Sequence, residues 1–322
     1  MMYRNIYIEK QKRQNEKYIE TKMTSMVMKN KHENTYVSFI FTKIRKINKN
    51  IIILNDDDDI INNYQPNGKT ILYELCETCN AIIPPDTSNN NNQQQQETTK
   101  REEEHYNKIK KILVHDTIDV NKVDKMNGMT PLHIAIQQSF DRNVQLLLQT
   151  NNINVNKMVE KGKEKGETAL TIACAGPTSV ANSNIIKSLL NTPLIDFNQS
   201  NDNGETPFFI LCCMNKLNEL KLLIEESSSL NVNVNGSNDA NDINDMVPLK
   251  YNQMDQYQTT PFLAGCRNNS YDVIEYLLHH HLNDIHDSLE QTNCYGHTPL
   301  TRAKTFEYNK LIDLLIRFGI AK

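Results

Sequence analysis

Residues 127–136, NGMTPLHIAI, place Gly128 two residues before Thr130 and Pro131 directly after it. Glycine permits the positive φ of a tight turn, and threonine is a favoured N-cap because its hydroxyl accepts an otherwise unpaired backbone N–H. Proline is tolerated at the first helical position, since its missing N–H would have no partner there. The stretch therefore predicts a tight turn followed by a helix that begins at Pro131.

This pattern recurs along the chain and defines six repeats, each starting at a threonine. The threonines of repeats 1 to 6 are Thr70, Thr130, Thr168, Thr206, Thr260 and Thr298. They are 60, 38, 38, 54 and 38 residues apart. In four repeats an apolar run closes 18 residues later, at Leu148, Ile224, Leu278 and Ile316. Each repeat predicts a turn, a short helix, a loop and a second helix, which are too small to be stable alone and must stack on their neighbours.

The pattern resembles the ankyrin repeat over roughly residues 67–322. NGMTPLHIAI and YGHTPLTRAK carry the resemblance best, NGETPFFILC and KGETALTIAC follow, and NGKTILYELC and QTTPFLAGC are divergent. The resemblance implies an all-α fold, an ankyrin-type solenoid of about six helix pairs with short hairpin returns, plus an irregular N-terminal extension.

Two departures from the family pattern concern histidine and glycine. Only His133 occupies the family's histidine position, so a continuous ladder of hydrogen bonds from such histidines is not expected. Nine residues after the threonine, where the family usually has glycine, four repeats have another residue: Ser139, Asn215, Asn269 and Glu307. Asparagine enters the left-handed region more readily than other non-glycine residues. We therefore expect the turn to survive at an energetic cost.

The sequence divides into three segments. We expect 1–34 to be a basic, disordered arm, 35–66 to be a degenerate capping segment, and 67–322 to be the array of repeats. The array is interrupted by insertions near 84–105 and 236–256. The first is low-complexity and has too little apolar surface to offset its ordering entropy. The second is richer in apolar and aromatic residues, and three roles stay open for it: passive insertion, docking on the array, or contact with a partner.

Charge is unevenly distributed, although the net charge is only −4. Residues 1–50 hold 12 basic and 4 acidic side chains, a net of +8, and the remainder holds 23 and 35, a net of −12. The arm is either a solvated tail or a segment that contacts nucleic acid or an anionic membrane. Val37, Ile40, Phe41, Ile44 and Ile47 lie at helical spacing. They indicate either a membrane-surface helix or part of the capping segment, and we favour the cap.

The apolar runs exclude a spanning helix. VSFIF and IIIL are the longest, far short of the length that crosses a bilayer. The N-terminus lacks the apolar core of a secretion signal. We therefore expect an intracellular protein, cytoplasmic or nuclear, that is not secreted and has no transmembrane segment.

No catalytic motif is present, so we expect no enzymatic activity, cofactor or metal. Four cysteines lie six residues after their threonines and predict a packing position: Cys76, Cys174, Cys212 and Cys266. Cys76 and Cys79 form a CxxC pair without the second pair of a zinc site, which leaves thiol chemistry as a minor alternative. The histidines 279–281 end a helix and point in different directions. The acidic run 56–59 lacks the ligand spacing of a calcium site.

These observations favour a protein–protein interaction scaffold or adaptor whose partner is a protein and not a small-molecule substrate. As implied by the resemblance, recognition lies just before each threonine and on the first-helix surface, seven and eight residues after it. Apolar or aromatic anchors are a further group. The candidate partner-binding residues are Lys69, Met126, Met129, Gln137, Gln138, Glu167, Glu205, Tyr257, Arg267, Asn268 and His297, and Met214 is a further anchor. Association of the basic arm with nucleic acid or an anionic membrane is the alternative function.

Overall fold

A computed structural model describes residues 65, 68–78, 103, 105–115, 118–232 and 248–320. All of them belong to the second of two parts into which the chain divides, Met1–Asp57 and Asp58–Lys322. The predicted arm 1–34, the predicted cap 35–66 apart from residue 65, nearly all of the first insertion, and residues 233–247 lie outside the described residues. The proposed boundaries of these segments therefore stay predictions.

The described residues form twelve α-helices in six pairs and contain no strand, which confirms the all-α prediction. The first helices of repeats 1 to 6 are α1 (Ile71–Thr78), α3 (Pro131–Gln137), α5 (Ala169–Ala175), α7 (Pro207–Cys213), α9 (Pro261–Arg267) and α11 (Pro299–Thr305). The second helices are α2 (105–113), α4 (Asp141–Leu148), α6 (Val180–Leu190), α8 (Leu217–Val232), α10 (Tyr271–His280) and α12 (Asn309–Arg317). A short 3-10 helix, His286–Ser288, follows α10.

Each first helix begins where the threonine predicts. All six threonine hydroxyls accept a hydrogen bond from the backbone N–H three residues later, at 3.1–3.3 Å. In repeats 2, 3 and 6 the residue three positions on also bonds back to the threonine N–H and completes a capping box: His133, Thr171 and Thr301. The cap is therefore a local property of the repeated sequence.

Stacking of the repeats buries the shared apolar seam. First helices pack in the order α1, α3, α5, α7, α9, α11, and second helices in the order α4, α6, α8, α10, α12. The apolar residue two positions after the threonine is 1–2% exposed in all six repeats: Leu72, Leu132, Leu170, Phe208, Phe262 and Leu300. Burial of one such side chain stabilises the fold by roughly 1.5–3 kcal/mol. The prediction of a common core is confirmed, whereas Ile316, which the repeat spacing placed in the apolar run, is 55% exposed.

The tight turn between paired helices also has the predicted backbone. Ser139, Asn215, Asn269 and Glu307 have positive φ values of 53–58°. In a different turn, the hairpin before α9, Gln258 has φ of 59° at a position that is glycine in the other five repeats. These non-glycine residues adopt a left-handed conformation that costs about 1 kcal/mol or more each.

Asparagine side chains join consecutive repeats at the loops that follow the second helices. Asn121, Asn156 and Asn198 each use the amide nitrogen as a donor and the amide oxygen as an acceptor. Their partners are backbone groups of the next repeat, at 2.6–3.0 Å. Because both halves of each buried or half-buried amide are satisfied, these residues fix the spacing of the loops.

Repeat 3 closes its inter-helix turn differently. The connection between α5 and α6, residues 176–179, is one residue longer than in repeats 2, 4, 5 and 6, and Gly176 there has negative φ. The Lys216 ammonium, from repeat 4, donates to the Cys174 carbonyl at 2.8 Å and to the Gly176 carbonyl. Asn182 donates to the Ala173 carbonyl at 2.9 Å. Repeat 4 therefore supplies the hydrogen-bond donor for the end of α5, whereas in repeats 2, 4, 5 and 6 the backbone of the tight turn supplies it.

The described end of the second insertion, 248–256, packs on the array. Tyr251 meets the Phe208 ring edge-on at 5.0 Å and stacks against His281 at 5.5 Å. Asn252 donates to the Asp284 carbonyl at 2.8 Å. Of the three roles left open for this insertion, docking on the array therefore describes 248–256, while 233–247 lies outside the described residues.

Candidate protein-interaction surface

In repeats 2, 4, 5 and 6 the hairpin turn before the first helix is organised by an aspartate or asparagine. Asp124, Asn201, Asp255 and Asn293 each accept two backbone N–H groups through Oδ1, at 2.7–3.1 Å. This side-chain turn fixes the backbone of the next few residues. Residues at the tip of the turn are therefore held outward on a rigid support.

Neighbouring hairpin turns are joined directly through the backbone. Glu160 N donates to Gly128 O at 3.1 Å, and Cys294 N donates to Tyr257 O at 2.9 Å. A Cβ on Gly128 would lie 2.4 Å from Lys161 N, and Gly128 has φ of 67°. Glycine is thus required there for two reasons, the close approach of the next turn and the left-handed backbone. The turns form one continuous edge of the array.

Exposed aromatic side chains are concentrated beside this edge. Tyr257 and Tyr295 are 46% and 63% exposed, and their rings stack at 6.2 Å. Phe306, directly after α11, is 47% exposed, with the Arg302 guanidinium over its ring at 5.7 Å. Met126 is 75% exposed in its hairpin turn. We call the hairpin turns, the first helices and the residue after each of these helices the interaction face.

The structure places most predicted contact residues on the interaction face with some exposure. Exposed ones are Met126, Gln137, Tyr257 and Asn268, and half-buried ones are Lys69, Gln138, Glu167, Glu205, Arg267 and His297. Met129 is the exception. It is 1% exposed, so the prediction that it is an exposed contact residue is wrong. Its side chain lies in the core, and Thr259, which directly precedes the threonine of repeat 5, is likewise 1% exposed.

Several of the half-buried candidates already have partners within the fold. Lys69 forms an ion pair with Glu77 at 2.5 Å. Glu167 and Glu205 both accept from the Asn201 side chain at 2.9 Å. The bond between Asn201 and Glu167 joins two adjacent turns. Tyr257, Arg267 and His297 are therefore better placed than the two glutamates to meet a partner.

Sequence reasoning missed Tyr295, Phe306 and Arg302. Tyr295 lies two residues after Asn293, just as Tyr257 lies two residues after Asp255. Phe306 lies eight residues after its threonine, the position already used to select Asn268. The register of the repeats could therefore have identified two of the three.

The cysteine packing positions are buried as predicted. Cys76, Cys174, Cys212 and Cys266 are each 0% exposed. Burial raises the pKa of the Cys174 thiol to about 12, and it also raises the pKa of Cys212 and Cys266. These three thiols are protonated at neutral pH and do not act as nucleophiles. Cys79, the other half of the CxxC pair, lies outside the described residues.

Other groups with chemical potential are structural where they are described. The ring of His279 packs on Phe318 and that of His281 on Tyr251, with centroids 5.0 and 5.5 Å apart. Within the described ranges, no group of three or more His, Cys, Asp or Glu side chains could hold a metal ion. None of the helices described is both long and apolar enough to cross a bilayer.

A family model for ankyrin repeats (three copies) matches residues 101–190 and 178–286. These matches cover more than half of the chain, and the chain belongs to the ankyrin repeat family. Repeats of this family are generally protein–protein interaction modules and are generally non-catalytic.

The likeness to one solved structure supports the fold. The crystal structure of EF0377, an ankyrin repeat protein, has a TM-score of 0.52 at 16% identity, covering 79% of this chain and 98% of that chain. An ankyrin repeat domain from Acinetobacter baumannii AYE has a TM-score of 0.49 at 18% identity, covering 67% and 94%. At such identities the likeness to EF0377 shows the fold alone. A comparison with curated proteins gave no match.

Proposed function

We propose that this chain is a non-catalytic scaffold or adaptor that binds a protein partner through the interaction face. One observation carries the proposal. All three large aromatic side chains that are strongly exposed in the described residues, Tyr257, Tyr295 and Phe306, lie on this face. Aromatic residues dominate the binding energy of protein interfaces, where they act as buried anchors.

The support beneath these side chains favours the same conclusion. Asp255 and Asn293 hold the two tyrosine-bearing turns, and the Cys294 N–H to Tyr257 carbonyl bond ties the turns together. Ordering an interface on binding costs roughly 0.5–1.5 kcal/mol for each immobilised side chain. Stacked rings on a fixed turn have less freedom to lose, so more of the contact energy remains as affinity.

Affinity capture with the full-length chain tests this proposal. We compare the natural chain with Tyr257→Ala/Tyr295→Ala, and with Ile316→Ala as the matched control, since Ile316 is an equally exposed apolar residue on a second helix. We expect the double variant to lose the captured protein and the control to retain it. Equal capture by all three chains would contradict the proposal.

A second candidate rests on the net charge of +8 in residues 1–50. This arm would associate with nucleic acid or with an anionic membrane, and the array would serve as a spacer. Binding of double-stranded DNA or of anionic vesicles would then require residues 1–50 and would weaken steeply with salt. Binding that survives deletion of residues 1–50 would remove this candidate.

A further inference from the structure

The two helices of repeats 2 to 6 differ in their content of acidic residues. The first helices of repeats 2 to 6 contain no acidic residue and three basic ones, Arg267, Arg302 and Lys304. The second helices of the same repeats contain five basic residues and seven acidic ones, and the acidic ones are Asp141, Glu219, Glu225, Glu226, Asp272, Glu275 and Asp313. Residues 51–322 have a net charge of −12, so these first helices without acidic residues are an exception on an acidic body.

The two arginines lie in the part of the interaction face that carries the exposed aromatic rings. Arg267 ends α9 and Arg302 lies in α11, and these helices pack side by side. The hairpin turns that lead into them carry the stacked Tyr257 and Tyr295. We call Tyr257, Arg267, Tyr295, Arg302 and Phe306 the arginine–aromatic patch.

Neither arginine is neutralised by the fold. In the part of the chain that the structure describes, neither is within 4.0 Å of a carboxylate oxygen. Arg302 Nε is buried and has no hydrogen-bond partner there. A guanidinium offers several N–H donors in a planar fork that matches a carboxylate. Arg267 donates a hydrogen bond to the Cys213 sulfur, and the remaining guanidinium donors of the two arginines, beside exposed rings, favour an anionic group on the partner.

The spacing of the arginines distinguishes one anion from two. Adjacent helix axes are about 8–10 Å apart, and the two arginines differ by three residues in register, about 4.5 Å along the axis. Their backbone positions are therefore about 10 Å apart. An extended peptide in the polyproline II conformation rises about 3.1 Å per residue with three residues per turn, so acidic side chains three residues apart lie on the same side and match this separation. Two separate carboxylates fit better than a single phosphate group.

We propose that the arginine–aromatic patch binds an extended acidic segment of a protein partner, in which carboxylates about three residues apart meet Arg267 and Arg302 and the intervening apolar side chains pack on Tyr257 and Tyr295. This inference rests on the proposed function and names the chemistry of the partner. It also predicts that binding weakens with salt, because the arginines are partly exposed.

A fluorescent peptide, Glu-Leu-Tyr-Glu-Leu-Tyr-Glu, is the probe, and the same peptide with lysine in place of each glutamate is its counterpart. Binding is measured by fluorescence anisotropy with the full-length chain, so the basic arm contributes equally to every variant. We expect the acidic probe to bind the natural chain at least about tenfold more tightly than the lysine probe, since opposite charges attract and like charges repel across the patch.

The decisive variant is Arg267→Glu/Arg302→Glu, and its matched control is Lys310→Glu/Arg317→Glu, which makes the same charge change on the second helix α12. We expect the first variant to weaken binding of the acidic probe about tenfold or more and the control less than about twofold. A further variant, Tyr257→Ala/Tyr295→Ala, leaves the charge unchanged and should also weaken binding. Circular dichroism of each variant checks the fold.

Three outcomes would overturn the inference: equal effects of the two charge reversals, no effect of either, or self-association of the natural chain that Arg267→Glu/Arg302→Glu abolishes. The last result would make a second copy of this chain the occupant of the patch. If Tyr257→Ala/Tyr295→Ala loses the captured protein while the arginine reversal leaves probe binding unchanged, the proposed function stands and the acidic partner is rejected.

Discussion

Repeats 2 and 3 build the same two helices with different chemistry. In repeat 2 the capping box uses His133, whose imidazole also bonds the Lys157 carbonyl of the next hairpin at 2.9 Å. In repeat 3 Thr171 completes the box with bonds to Thr168 alone. The connection between the helices differs as well. In repeat 2 the Ser139 N–H donates to the Ile136 carbonyl and so closes the connection with the repeat's own backbone. In repeat 3 the Lys216 ammonium of repeat 4 donates to the corresponding Cys174 carbonyl.

The comparison shows where the repeats are coupled. Repeat 2 is linked to repeat 3 through a buried imidazole at the start of its first helix. Repeat 3 is linked to repeat 4 through a buried ammonium at the end of its first helix. The fold needs a partner for each unpaired backbone group at a helix end, but it does not fix which residue supplies that partner.

The largest expected effect is the acid sensitivity of the repeat 2 link. Burial lowers the pKa of His133 from 6.5 to about 4. Below pH 6.5 the unfolded chain binds a proton that the folded chain excludes, so stability is full above pH 6.5 and is lost as the pH falls towards 4. At about 1.4 kcal/mol for each pKa unit, the loss is about 3 kcal/mol by pH 4.

Urea unfolding at a series of pH values measures this loss. His133→Thr introduces the residue that completes the box in repeats 3 and 6, and we expect it to remove about 3 kcal/mol of the pH dependence. His280→Thr, at the exposed end of α10, is the control and should keep the natural profile. A natural profile in the His133 variant would show that the buried imidazole is not the acid-sensitive group.

The next effect concerns the repeat 3 link. Lys216→Met keeps the length of the side chain but leaves the Cys174 and Gly176 carbonyls without their donor. An unsatisfied buried polar group costs about 1–3 kcal/mol, so we expect a loss of about 2 kcal/mol in the free energy of unfolding. Lys187→Met, an exposed lysine on α6, should change it by less than about 0.5 kcal/mol. Equal losses for the two variants would contradict the structural role of Lys216.

The smallest effect is a gain in stability at the turns that close themselves. Ser139→Gly relieves a left-handed backbone at φ of 58°, and we expect it to stabilise the chain by about 1 kcal/mol. Asn269→Gly should gain less, because asparagine tolerates this conformation better than serine. Thermal unfolding of the two variants checks the order. A loss of stability from Ser139→Gly would mean that its side chain does more than its backbone conformation indicates.

The helices and their caps were predictable because each is determined within a few residues. The six threonines, the buried positions after them, the cysteine packing positions and the left-handed turn residues all follow from local rules applied to a repeat. The repeat pattern even predicts which family the chain resembles.

Features that depend on contacts between repeats were not predictable. Lys216 is an ordinary charged residue in the sequence, and only the packing of repeat 4 against repeat 3 brings it to two carbonyls. Tyr251 likewise meets Phe208 across a separation of 43 residues. The register of Met129, directly before its threonine, predicts a surface position, but its side chain lies in the core as that of Thr259 does in repeat 5. The charge difference between first and second helices becomes visible only when the two faces are known.

The most direct test of the account is hydrogen exchange of the full-length chain with and without its captured partner. We predict slower exchange in the turns 255–259 and 293–297 and in α9 and α11, with α8 and α10 unchanged. Protection confined to the second helices, or to residues 1–50, would contradict the claim that this protein binds through its interaction face.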